Sequence, residues 1–253
     1  MPSTGVDRLL QTLGEADPTA AATIARATRL LGAAVRVEVT GRAGVGKSAV
    51  AASLGPVPGA AVEQTASWDV PGAADPDLTA DVVLLVVLDP PRSADRAALR
   101  EAGERAVLVL NKVDTLGDPA AAADHCADEL GTSCLPTSTV GEGSGIGAVR
   151  HAVAARVAAV RADRSAALLA ALRSHTGMAA VRDPIEEYLA GDEGVRLAAT
   201  ATGEPVPADE SRPQALRRAV DWRDRMAASR DARAMRAALT LQRDAVRSWG
   251  RDG

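Results

Sequence analysis

Eight consecutive residues, Gly41-Arg42-Ala43-Gly44-Val45-Gly46-Lys47-Ser48, carry the spacing G-x-x-x-x-G-K-S. Glycines at these places let successive backbone N–H groups curl into a nest for an anion. The chemistry of such a nest is phosphate binding: main-chain amides wrap a β-phosphate, the next helix adds its positive dipole end, and the lysine reaches the β and γ oxygens. Lys47 is thus the candidate for stabilising transferred charge, Ser48 for ligating Mg2+, and the backbone from Gly41 to Ala49 for holding the phosphates. A second group, Asn111-Lys112-Val113-Asp114, follows an apolar run. Its Asp114 carboxylate can accept from guanine N1–H and the 2-amino group, whereas adenine presents an acceptor at N1 that would repel it. Asn111 is suited to tying this loop to the phosphate loop, and the Lys112 stem to covering a base plane.

The usage of residue types points to the same places. Lysine occurs only at Lys47 and Lys112, asparagine only at Asn111, and every other one of the 29 basic residues is arginine. Where arginine serves for every solvated positive charge, a retained lysine marks a position that needs a compact ammonium.

These residues need elements to hold them. The β-branched alternation of 35–40 predicts a strand that runs straight into the glycine loop, and an Ala-rich helix is expected from Lys47. Further strands are expected over 62–69, 81–88, 106–110 and 133–135, with helices near 93–103, 119–130 and 146–160. Such alternation predicts an α/β three-layer sandwich around a mainly parallel sheet, the P-loop NTPase architecture. Residues 1–33 read as a helical N-terminal segment. Val6, Leu9, Leu10 and Leu13 share one face, and Asp17-Pro18 starts a second helix containing Ile24, Leu30 and Leu31. Strand signals vanish from about Arg161. Asp183-Pro184 is expected to open a short helix stopped by Gly191, 202–213 to form a loop, and one long helix to follow, with Leu216, Val220, Trp222, Met226, Met235, Leu239, Val246 and Trp249 as apolar contacts. The expected division is 1–33, a G domain over 34–162, and a helical region over 163–253.

With both motifs in place, the chain resembles the translation-factor-class P-loop GTPases, most of all the Era and TrmE-like G domains, across about residues 34–160. Trp68-Asp69-Val70-Pro71-Gly72 is similar to the D-T-P-G of that group. The resemblance implies that Asp69 holds Mg2+ through water and that the Gly72 N–H senses a γ-phosphate. The stretch from Pro136 to Gly143, with Ser138, Thr139, Glu142 and Gly143, resembles its S-A-x-x-G-x-G, which places Ser138 and Thr139 near guanine O6. The implied ligands are GTP or GDP with Mg2+.

The chain also departs from that group. Gly44 stands where an asparagine associated with potassium is common, and Ala73 and Ala74 follow Gly72, so no glutamine is present to orient attacking water. Slow hydrolysis is the expectation. From Ser48 to Asp69 the chain is too short for a full helix, a long first switch loop and a separate second strand. Thr65 is the remaining candidate for the switch threonine that ligates Mg2+.

With 253 residues, 47% apolar content and a net charge of −4, the chain reads as globular and cytoplasmic, with no overall pull toward DNA or anionic lipid. Cys126 and Cys134 read as ordinary small residues, and His125, His151 and His175 as isolated. Two functions follow: a slow Mg2+-dependent GTPase switch whose C-terminal helices bind a protein partner, or a pseudo-GTPase module that holds GDP and GTP without efficient turnover. Ribosome or RNA association and a dynamin-like membrane role rank behind both.

Overall fold

The structure, a computed structural model, describes residues 5–141 and 144–250; the expected contributions of Glu142 and Gly143 lie outside them. The chain divides into two compact units, one of residues Ala34–Val160 and one of the residues up to Ala33 and from Arg161 onward.

In the first unit five strands, β1 (Val35–Thr40), β2 (Ala60–Gln64), β3 (Val82–Val87), β4 (Ala106–Leu110) and β5 (Cys134–Pro136), pair wholly in parallel in the order β2-β1-β3-β4-β5. Every residue of β3 is buried, as expected of a central strand covered on both faces. Period-two alternation separates two cores. Val35, Val37 and Val39 of β1 and Val82, Leu84 and Val86 of β3 pack with Val50 and Leu54 of α3 (Lys47–Leu54) and with Val149, Val153 and Val157 of α6 (Ile146–His175). On the other face Val83, Leu85, Val87, Leu108 and Leu110 meet Ala98 and Ala102 of α4 (Ser93–Ala102) and Ala123 and Cys126 of α5 (Pro119–Leu130). This is the α/β sandwich expected from the strand and helix pattern. After β1 the chain moves outward to β2, then returns to β3 on the other side. That reversal lies at the carboxyl ends of β1 and β3, the place where parallel α/β sheets generally bind ligands.

The second unit has its own core. Leu9 and Leu13 of α1 (Gly5–Ala16) and Ile24 of α2 (Pro18–Gly32) are buried with Leu168, Leu169 and Leu172 of α6, Val181, Ile185 and Leu189 of α7 (Ala179–Ala190), and Val195 and Leu197 of α8 (Asp192–Thr202). Trp222 of α9 (Arg212–Ala228) and Leu241 of α10 (Ala232–Gly250) complete it. The N-terminal helices therefore share one core with the C-terminal ones. Asp17 caps α2 as expected, accepting from the Thr19 and Ala20 amides, while Leu30 is exposed rather than packed.

Several expected boundaries move. Strand β2 ends at Gln64 instead of Asp69, because β1 stops at Thr40 and leaves it no further ladder; only Thr65 N–H to Val39 O and Trp68 N–H to Gly41 O continue the alignment. Helix α6 runs on to His175. Helix α7 starts at Ala179 with Pro184 inside it; burial of Val181, Ile185 and Leu189 outweighs the hydrogen bond that proline removes. The expected long terminal helix is two. Asp231 interrupts it, its carboxylate accepting the Arg233 N–H as an N-cap does. Leu216, Val220, Val246 and Trp249 are exposed, whereas Trp222 is buried beneath the Arg225 guanidinium, 4.7 Å from its ring centre.

Candidate functional site

The glycine loop follows β1 and opens α3, as the motif requires. Gly41 has φ +146°, and a Cβ there would lie 2.3 Å from the Val86 carbonyl oxygen, so no other residue fits so close to β3. Gly46 caps α3 with φ +96°, and a Cβ would meet Asn111 Nδ2 at 2.3 Å. That close approach lets Asn111 Nδ2 donate to the Val45 carbonyl at 2.9 Å, while Lys112 Nζ donates to the Gly44 carbonyl at 2.8 Å. Asn111 and Lys112, two of the three positions singled out by composition, are thus tied to the loop that carries the third, Lys47. Asn111 is buried and its Oδ1 has no partner among the described residues. Such an orphan acceptor costs about 1–3 kcal/mol, a debt that a ligand donor or ordered water removes.

Lys47 is 6% exposed. Its ammonium donates to the Gly41 carbonyl at 2.9 Å, the Arg42 carbonyl at 3.2 Å and Ser67 Oγ at 2.7 Å. Burial pulls its pKa below the ordinary lysine value. The Arg42 side chain turns away from the loop, its Nε donating to both oxygens of the buried Asp95 at 3.0 and 3.1 Å. Asp95 also accepts the Arg92 N–H at the start of α4. What Arg42 offers an anion is therefore its backbone. Ala43, Gly44, Ser48 and Ala49 are exposed, and Val45 is buried.

The Asp114 side of the candidate site is assembled at the ends of β4 and β5. Lys112 adopts φ +62°, which turns the chain sharply after Asn111. Asp114 Oδ1 accepts from Ser138 Oγ at 2.6 Å, and Val113 N–H reaches the Thr137 carbonyl at 3.3 Å. Thr137 Oγ1 and Ser138 N–H both donate to the Ser144 carbonyl. Ser138 is thus beside Asp114. Thr139 is half-buried and adjoins it in sequence.

The residues expected to hold a metal are less gathered. Ser48 and Asp69 are exposed, Asp69 at φ +59° with its N–H donating to Asp75 Oδ1 at 2.9 Å. Thr65 Oγ1 donates to Thr40 Oγ1 at 2.8 Å, and the same Thr40 oxygen receives the Trp68 indole N–H at 2.9 Å. This engages the Thr65 hydroxyl with a fully buried residue at the end of the sheet. Gly72, at φ +78°, lies in the turn closed by Ala73 N–H to the Val70 carbonyl. Among the described residues no three acidic, histidine or cysteine side chains are grouped to hold a metal by themselves. A hydroxyl and one carboxylate suit a Mg2+ that arrives with nucleotide phosphates supplying the remaining oxygens.

Motif reading missed Asp95 and Ser67. Asp95 was discoverable only as a helix-start acid; Ser67, one residue before Trp68, carried no signal of its own.

No protein-family model and no curated protein sequence matches the chain. Among solved structures it is similar to the cytosolic domain of the T. maritima FeoB iron transporter in GMPPNP form, with a TM-score of 0.36, 14% identity, and coverage of 85% of this chain and 98% of that one. The same domain in GDP form gives 0.35, 15%, 87% and 98%. Likeness at this level says nothing of what this chain binds.

Proposed function

We propose that the chain binds a guanine nucleotide at the carboxyl ends of β1, β3, β4 and β5 and acts as a slow Mg2+-dependent GTPase of the Era and TrmE-like kind. The observation that carries this is the joining of the two motifs: Asn111 and Lys112 hold the Val45 and Gly44 carbonyls, so the phosphate loop and Asp114 belong to one cleft. In this reading the amides of residues 41–49 and Lys47 hold the phosphates, Asp114 accepts the guanine N–H groups, and Ser138 and Thr139 adjoin O6. Ser48 and Asp69 hold Mg2+, which neutralises phosphate charge when bound. Gly72 senses the terminal phosphate. Thr65 would add a further Mg2+ ligand through an oxygen lone pair, its hydroxyl proton being directed at Thr40 Oγ1. The helical unit offers the partner-binding surface of a cytoplasmic switch.

Titration calorimetry with GDP, a non-hydrolysable GTP analogue and ADP, each with and without Mg2+, tests the assignment. Binding of both guanine nucleotides and none of ADP is expected; equal affinity for ADP and GDP would falsify the base assignment.

A second reading, a pseudo-GTPase module, is favoured by one feature. Only residues 55–59 separate α3 from β2, leaving no room for a long first switch. Single-turnover phosphate release separates the two: measurable release selects the enzyme, and bound nucleotide without release selects the module.

A further inference from the structure

An ammonium has three protons to donate, and Lys47 directs all of them at the Gly41 carbonyl, the Arg42 carbonyl and Ser67 Oγ. A phosphate oxygen approaching this lysine must take one of those places. The two carbonyls belong to a loop fixed on both sides, by the close packing of Gly41 on Val86 and by the Arg42–Asp95 ion pair. Ser67 belongs to the segment beyond β2 and is half-buried. It is the partner that can yield. Its oxygen accepts from Lys47, and among the described residues its own hydroxyl proton has no acceptor.

We propose that Ser67 is a specificity-determining residue that distinguishes a nucleoside triphosphate from a diphosphate, donating its hydroxyl proton to the terminal phosphate oxygen that takes over the Lys47 ammonium. This rests on the guanine-nucleotide reading above and adds the Ser67 hydroxyl to the Gly72 N–H as a reader of the terminal phosphate. Thr65 has its hydroxyl on Thr40, whereas Ser67 Oγ stands 2.7 Å from the one side chain of the phosphate loop that reaches the β and γ oxygens. Ser67 is also well placed to pass the signal on. The next residue, Trp68, binds the Gly41 carbonyl through its N–H and Thr40 through its indole. Asp69 then turns the chain at φ +59° toward Gly72.

The test is titration of the full chain with GDP and a non-hydrolysable GTP analogue in Mg2+, for the parent, Ser67→Ala, Ser67→Thr and Thr65→Ala. Losing a hydrogen bond to a charged oxygen should weaken the analogue about tenfold or more in Ser67→Ala, with GDP affinity changed by no more than about twofold. Ser67→Thr, which keeps the hydroxyl, should restore the preference. Should Ser67→Ala fail to fold, Ser67→Cys serves the same comparison, its weak thiol donor giving a loss in the same direction. Equal changes for both nucleotides, no change in their ratio, or a ratio that moves in Thr65→Ala and not in Ser67→Ala would overturn the proposal. A parent that binds both guanine nucleotides while Ser67→Ala leaves their ratio untouched removes only this inference. A parent that binds neither removes the nucleotide reading and this with it.

Discussion

At the scale of single residues, the site rests on side chains that have no substitute. Asp114 is the sole carboxylate of the Asn111-Lys112-Val113-Asp114 turn, so Asp114→Asn should relax the preference for guanine over xanthine and adenine nucleotides, read as a ratio of dissociation constants. Lys47→Ala should abolish affinity that depends on phosphate number, leaving GDP and GMP nearly equal. Because burial holds the Lys47 pKa down, its ammonium is lost earlier than an exposed lysine's as pH rises. Nucleotide affinity should therefore fall on the alkaline side at a pH below the ordinary lysine range, and a pH series of titrations checks it. Tyr188 gives a separate probe, since it is the chain's only tyrosine. Burial pushes its pKa up to about 12. The folded state thus favours the neutral phenol, and the stability this confers is complete below the unfolded value near 10 and is lost as pH rises through about 12. Tyrosinate absorbance should appear only in that upper window, and earlier once the chain is unfolded in denaturant.

At the scale of elements, glycines and caps fix where each segment may lie. Gly194 lies in the first turn of α8 against the end of α7, and a Cβ there would stand 2.6 Å from Leu189 Cα and 2.5 Å from the Tyr188 carbonyl oxygen. Gly194→Ala should lower the thermal midpoint of the helical unit, and Asp231→Ala should cost about 1 kcal/mol by uncapping α10, both measurable by denaturation. The sequence made most of the sheet legible, because β1 and β4 alternate or run apolar between strong turn signals and α5 is bracketed by Asp118-Pro119 and Gly131. The phosphate loop and its tie through Asn111 were legible for the same reason: the pattern is local. Pairings between distant segments were not. Ser67 on Lys47 and Asp95 on Arg42 depend on how β2 and α4 are placed, and no periodicity encodes that. The helix start at Ala179 was hidden by a proline that local rules read as a beginning. The break before α10 was hidden because Ser229-Arg230-Asp231 looks like more helix surface.

At the scale of the whole molecule, two compact units that share no core imply two unfolding units. A ligand bound at the ends of the sheet should protect the residues of Ala34–Val160 and leave the helical core unchanged. With GDP at one hundred times its dissociation constant, the stabilisation should approach ~2.7 kcal/mol. Hydrogen exchange should then slow in 41–49, 111–114 and 137–141 far more than in α9 and α10. The three tryptophans report on different places, since Trp68 lies in the sheet core, Trp222 in the helical core, and Trp249 is exposed beside Arg212. Fluorescence of single-tryptophan variants would follow each unit separately.

The Arg42–Asp95 pair gives α4 a hold on the loop that precedes Lys47. Both partners are nearly out of solvent, and removing one charge of such a pair costs roughly 3–5 kcal/mol. Helix and loop are consequently pinned to each other, so Asp95→Ala should lower stability on that scale and quicken hydrogen exchange in the stretch just before Lys47.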